Sequence, residues 1–242
     1  MTSQTNYDVI IVGAGSIGTP TAYFLAEAGI KVLVLDPHPS TGQGSNKHAI
    51  GGVRATHSDP SKFLLCTNAI NIFSNWQEEH GQDIEWRAGG YSFVAYDDPT
   101  EKTLRDLITM QRDLGLNIDW LDRQQMLGLV PDINPVGLRG GTYSPEDGSA
   151  SPLKASYAFW QEAVRKGAVF HFNERVTGIE TAAGKVRSVT TDKGHYSTNR
   201  VINAAGSWSA EVGRLVGLDV PVTPVAHEGV ITEAVQPLFS PM

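Results

Sequence analysis

The chain has 242 residues, 40% hydrophobic and 19% charged, with a formal net charge of −7. That length supports one large or two modest domains with a real core, and the acidic balance excludes a basic groove for nucleic acid. Cys66 is the sole cysteine, which excludes an internal disulfide framework, and no segment reaches the apolar length of a membrane span. No metal site is expected. Lys31 is the first cationic side chain and the first strand starts near Asp8, so a cytoplasmic chain without a cleaved leader is expected.

Residues 8–12 read as a strand buried on both faces. Gly13, Gly15 and Gly18 form a glycine turn, and the helix that follows carries Ile17, Thr21, Phe24, Leu25 and Ala28 as its expected inward stripe. Gly29 stops that helix, and residues 31–35 form a second strand ending on Asp36. Strand, glycine turn, helix, strand and carboxylate, in that order, hold a dinucleotide. Gly13 allows the sharp turn, Gly15 the approach of the pyrophosphate and Gly18 close packing of the helix on the sheet. The phosphates then meet the free N–H groups around Ser16 and Ile17 and the positive end of the helix dipole. Asp36 can accept hydrogen bonds from both ribose hydroxyls and repels a 2′-phosphate. The same glycines would serve a tight turn with no ligand, and the motif alone does not choose between FAD and NAD.

Residues 37–46 form a loop by every local signal. Ser61 is the expected cap of a helix running to about Glu79, in which Cys66 reads as a core thiol rather than a nucleophile. Strands are expected at 84–86 and 91–96 around Gly89 and Gly90, then helices at 103–114 and 123–130. The βαβ rhythm is absent there and returns with a helix at 153–166 and a strand at 168–172. An antiparallel pair at 175–180 and 186–191, a strand at 200–203 and a strand-rich stretch at 220–233 complete the pattern. The expected fold class is α/β, a Rossmann-type dinucleotide domain over 1–82 and 147–217 with an inserted α+β substrate domain over 83–146 and 218–242. No closing strand or helix precedes Met242, so the fold is expected to be incomplete at its C-terminus.

Further along, Gly44 and Ser45 sit in a loop able to offer backbone N–H groups and a hydroxyl to a phosphate region. Asn203, Ala204, Ala205 and Gly206 end a buried strand with small side chains, which permits close approach of a ligand or simply tight packing. Together with Gly42, the run Gly51, Gly52, Val53, Arg54 and the stretch 140–152, these motifs make the chain resemble the D-amino-acid-oxidase-like FAD oxidoreductases. Within that family it is most similar to the branch of sarcosine oxidase β subunits, dye-linked proline dehydrogenases and dimethylglycine dehydrogenases. The resemblance runs over nearly the whole chain.

The resemblance implies FAD rather than NAD as cofactor, bound by Gly13, Gly15, Ser16, Ile17, Gly18, Asp36, Gly44, Ser45, Gly52, Ala205 and Gly206, with the backbone at Val176 along the adenine edge. It implies oxidation of the C–N bond of a small amine or amino acid by hydride transfer to flavin. Arg54 would supply the cation near the flavin ring. His57 stands where monomeric sarcosine oxidases carry a second arginine for the substrate carboxylate, which puts that clamp in question. His227 would face the flavin and touch substrate or move a proton, or else be a structural histidine. His48 is either the point of covalent FAD attachment or an ordinary loop histidine; Asn46 and Lys47 precede it where the covalent enzymes have tryptophan. Tyr91 and Tyr143 would line the pocket or simply fill the core. Implied partners are a small amine or amino acid, an electron acceptor such as oxygen or a carrier, and a partner subunit. The alternative is a non-catalytic or truncated FAD-binding subunit of a heteromeric complex. A NAD-dependent dehydrogenase is disfavoured, because the stretch 140–152 has no role in one.

Overall fold

The computed structural model describes residues 6–226 and Glu233. They divide into two compact units: the chain up to Ile50 together with Pro152–Glu228, and Gly51–Ser151, to which Glu233 also belongs.

The first unit is built on a parallel sheet in the order Val201–Asn203, Val9–Val12, Val32–Asp36, Val169–Phe172. Its two inner strands are continuous apolar runs because helices and a second sheet leave neither face to water. Helix Gly18–Glu27 returns the chain between them, and it buries Gly18, Thr19, Ala22, Tyr23 and Ala26. The expected stripe is therefore corrected: Ile17 is 66% exposed and Phe24 45%. The sheet selects the face that takes least room, since any Cβ on Gly18 would run into the backbone oxygen of Gly13. Helix Pro152–Arg165 lies against this helix, with Phe159 edge-on to Tyr23 at 5.7 Å. An antiparallel sheet of Val176–Ala182, Lys185–Thr191 and His195–Ser197 completes the unit. Tyr7, Ile10, Leu33, Leu35 and Val189 form one buried cluster here.

In the second unit, Tyr91–Ala95, Gly140–Ser144 and Asp119–Asp122 make an antiparallel sheet with the second of these in the centre. Helix Pro60–His80 is capped by Asp59 rather than Ser61: the Asp59 carboxylate accepts the N–H groups of Ser61 at 2.8 Å and Lys62 at 3.0 Å. Helix Asp98–Asp113 starts ahead of the expected residue 103, because Asp97 accepts the Thr100 N–H at 2.7 Å and caps it there. Residues 84–86 are not a strand. Glu85 has φ 59° and donates its N–H to Asp83 at 2.7 Å, a local turn that breaks extension.

The units divide elsewhere than at 82 and 147. Ala55 and Phe63 pack with Ile108, Leu116 and Ile118, and Gly52–Val53 pairs with Gly148–Ser149, so residues 51–82 and 147–151 join the second unit. Residues 218–226, assigned in sequence to the substrate domain, belong to the first unit. Residues 220–226 carry no strand, and of the expected strand-rich stretch only Glu233 is otherwise described. Among the described residues no helix is long and apolar enough to cross a membrane.

Candidate cofactor and substrate site

Three strand ends of the parallel sheet meet at the glycine turn. Register places Val12 beside both Leu35 and Asn203. The Gly13 N–H donates to the Leu35 carbonyl at 2.8 Å, and the Ala204 N–H donates to the Val12 carbonyl at 2.9 Å. Gly13, at φ 108°, presses so closely on the Ala204 carbonyl that no side chain fits, whereas a Cβ on Gly15 would meet nothing within 4 Å. The turn is thus tight on the protein side and open at Gly15. Helix Gly18–Glu27 begins there with Ile17 at its cap position and no side chain accepting from its first N–H groups.

Asp36 closes this neighbourhood. Its Oδ2 accepts the Ala14 N–H at 2.7 Å and its Oδ1 accepts the His38 N–H at 2.8 Å. Each carboxylate oxygen retains a further lone pair for a hydroxyl donor. The loop after Asp36 folds back over the turn, with the Gly42 N–H donating to the Ala14 carbonyl at 2.9 Å. Asn46 fastens the loop by donating to the Pro152 carbonyl and the Ser156 hydroxyl, both at 2.9 Å. Ser45 lies 3.2 Å from the Ser207 hydroxyl, and a Cβ on Gly44 would stand 3.6 Å from the Trp208 ring. Gly44 and Ser45 therefore adjoin Ser207 and Trp208, which directly follow Ala205 and Gly206 in the chain. Val176 starts a strand just after Glu174, whose N–H donates to the Asp36 carbonyl at 3.0 Å. His48 ends an exposed single turn, Ser45–His48.

The remaining described candidates lie in the second unit. Gly52 is in the short strand Gly52–Val53. Arg54 follows it, its guanidinium carbon 5.1 Å from the Phe93 ring centre and 5.5 Å from that of Tyr91. The same guanidinium donates to the Thr56 carbonyl and lies 3.5 Å from His57 Nδ1. Burial, then the Arg54 charge, then that of Lys62 hold His57 below the usual histidine range. Arg54 thus disfavours a second positive charge on the imidazole beside it. Both line a cavity of about 190 Å³ with Thr56, Phe93, Gln111 and Thr142. Gln111, unforeseen in sequence, supports this rim by donating to the His57 carbonyl at 3.1 Å. Tyr91 contacts Arg54 but neither it nor Tyr143 lines the cavity, and Tyr143 packs over Gly90. Cys66 is half-buried beside the core, its thiol pushed up chiefly by burial. His227 lies outside the described residues.

A parallel sheet, a glycine turn and a carboxylate closing on it define a dinucleotide-binding protein. Comparison with known proteins narrows this: the FAD dependent oxidoreductase family matches residues 8–241, and the chain belongs to that family. It is 28% identical over 228 residues to mitochondrial dimethylglycine dehydrogenase of Mus musculus, covering 94% of this chain and 26% of that protein. It is 29% identical over 235 residues to mitochondrial sarcosine dehydrogenase of the same species, covering 95% and 26%. The crystal structure of L-proline dehydrogenase from P. horikoshii superposes with a TM-score of 0.84 at 25% identity, covering 89% of this chain and 57% of that one. The chain thus spans about a quarter of the length of the two dehydrogenases it matches.

The residues present fit FAD. The open face at Gly15 and the uncapped helix start suit a pyrophosphate, and the spare lone pairs of Asp36 suit a ribose.

Proposed function

We propose that the flavin-loaded protein oxidises the C–N bond of a small amine or amino acid of the sarcosine, proline or dimethylglycine kind. When bound, FAD would supply the acceptor for a hydride from the carbon beside nitrogen; the neutral amine then leaves as an iminium ion, which loses its N–H proton to give an imine only where the amine is secondary. In this reading Gly13, Gly15, Ser16, Ile17 and Gly18 present backbone to the pyrophosphate, and Asp36 accepts from the ribose. Gly44, Ser45, Gly52, Ala205, Gly206 and the Val176 backbone line the remainder of the cofactor's path. Arg54 supplies a fixed positive charge, and His57 contributes an imidazole beside it that touches the substrate. The electron acceptor, oxygen or a carrier, and any partner subunit complete the proposal.

The observation that carries this reading is the Asp36 carboxylate locked onto the glycine turn while keeping lone pairs free. Arg54 carries the chemical half. Replacing Arg54 with alanine is expected to slow anaerobic flavin reduction by sarcosine at least tenfold while FAD affinity changes little. Reduction at the wild-type rate removes Arg54 from the site. If FAD binds but no amine reduces it, the protein is the non-catalytic flavin-binding subunit instead.

A further inference from the structure

Just beyond strand Val169–Phe172 the first unit buries a carboxylate. Glu174 is only 5% exposed, and the chemistry assigned above does not use its side chain. Its Oε1 accepts the Thr191 hydroxyl at 2.6 Å and the Tyr196 hydroxyl at 2.7 Å, and its Oε2 lies 3.1 Å from His171 Nδ1. The Tyr196 hydroxyl also stands 3.0 Å from His171 Nδ1, which closes the group on itself. Burial, then the hydrogen bond to Glu174, push that hydroxyl above the usual tyrosine range, so it remains a donor.

Thr191 and Tyr196 belong to two strands of the antiparallel sheet, Lys185–Thr191 and His195–Ser197, and His171 to the parallel sheet. A buried charge with its partners is often no more stabilising than apolar residues of the same volume. What it adds here is direction, since partners on different strands hold one side chain, and with it the backbone of Glu174, in a single orientation.

The backbone so held borders Asp36. The Glu174 N–H donates to the Asp36 carbonyl at 3.0 Å, and the N–H of Asn173, which has φ 55°, donates to the His38 carbonyl at 2.9 Å. Between those two bonds the His38 N–H donates to Asp36 Oδ1 at 2.8 Å. Oδ2 is tied on the other side, to the Ala14 N–H of the glycine turn. The Asp36 carboxylate is therefore steered by a segment clamped between the glycine turn and the turn at 173–174, and Glu174 is the side chain that anchors the second clamp. We propose that Glu174 is a positioning residue for the cofactor: by locking the 173–174 turn to the antiparallel sheet, it holds the Asp36 carboxylate where the ribose of the adenosine half meets it. This rests on the proposed role of Asp36 as the ribose acceptor.

Glu174→Gln keeps an acceptor for both hydroxyls, whereas Glu174→Ala removes it. In titrations of the full chain, Glu174→Ala is expected to weaken FAD and ADP alike, by roughly fivefold or more, while Glu174→Gln stays within about twofold of wild type. ADP carries the adenosine half without the flavin, so a matching loss places the effect at that half. In the Asp36→Ala background the further loss from Glu174→Ala is expected to shrink below about twofold, because the carboxylate it positions is gone. A role in stability alone would lower the urea midpoint of Glu174→Ala and leave both affinities unchanged, which overturns the proposal. So would a glutamine variant that binds as weakly as the alanine variant, or losses that add in full to those of Asp36→Ala. Should Glu174→Ala fail to fold, Tyr196→Phe decides: with one donor to the carboxylate removed, about threefold weaker binding of both ligands is expected, and wild-type binding overturns the proposal. An unchanged FAD affinity in Asp36→Ala alone fells both readings, whereas a weakened Asp36→Ala beside an unchanged Glu174→Ala fells this one only.

Discussion

The two units hold their candidate groups by opposite means. In the first, the groups are mostly backbone: the N–H groups of a glycine turn, a strand-end carboxylate tied to that turn, and a loop laid back over it. The conformation is set by the absence of side chains at Gly13 and Gly18, where the chain touches itself. In the second, the groups are side chains, Arg54 and His57, on an irregular stretch with little regular structure of its own. That stretch keeps its shape through distant partners, Asp147 beneath it and Gln111 beside it. A site for a large, constant cofactor suits the rigid first arrangement, while a substrate pocket built on remote hydrogen bonds can be retuned by single substitutions far along the chain.

The contrast breaks most visibly at the glycines. Gly13→Ala forces a methyl against the Ala204 carbonyl at a positive φ, and a loss of about 3 kcal/mol or more in urea unfolding is expected. Gly15→Ala meets open space, so stability should hold within about 0.5 kcal/mol while FAD affinity falls, because the methyl occupies the side from which the pyrophosphate approaches. Equal losses of stability in the two variants would erase the distinction between the tight and open sides of the turn.

A smaller effect sharpens the second unit. Asp147 has its pKa raised by burial, so the folded protein binds a proton there that the unfolded chain has already released. Its contribution to stability is therefore complete below the ordinary aspartate range and declines as pH rises through the folded value. Thermal melts of wild type and Asp147→Asn across pH should show this decline in the first and not in the second; parallel curves would mean that folding does not raise the Asp147 pKa. Smallest is the cap of helix Pro60–His80, where Asp59→Ala should cost about 1 kcal/mol in urea unfolding, and Ser61→Ala much less.

Legibility in the sequence followed the same divide. The strands around the glycine turn and the placing of Asp36 could be read because the causes lie within a few residues of each other. The buried face of helix Gly18–Glu27 could not be read by hydrophobicity, since the sheet admits it through Gly18, Ala22 and Ala26, and the larger Ile17 and Phe24 face outward. Residues 84–86 have strand-like composition, yet the Asp83 side chain captures the Glu85 N–H and turns the chain. The unit boundary near residue 50 was hidden because Phe63 finds its partners at Ile108, Leu116 and Ile118, well beyond any local window. Asp147 stood in the stretch 140–152 that marked the family, a lone carboxylate before Gly148. Nothing local separates it from the exposed Glu146 that precedes it, and its bond to the Ala55 N–H joins residues far apart in the chain.

The central claim, that the first unit is a cradle for FAD closed by Asp36, is tested most directly by titrating FAD into the protein and into Asp36→Ala. The account predicts that FAD binds, and that the substitution weakens it by about 1.5–3 kcal/mol, the range for hydrogen bonds to a charged group. An FAD affinity that is the same with and without the Asp36 carboxylate would contradict it.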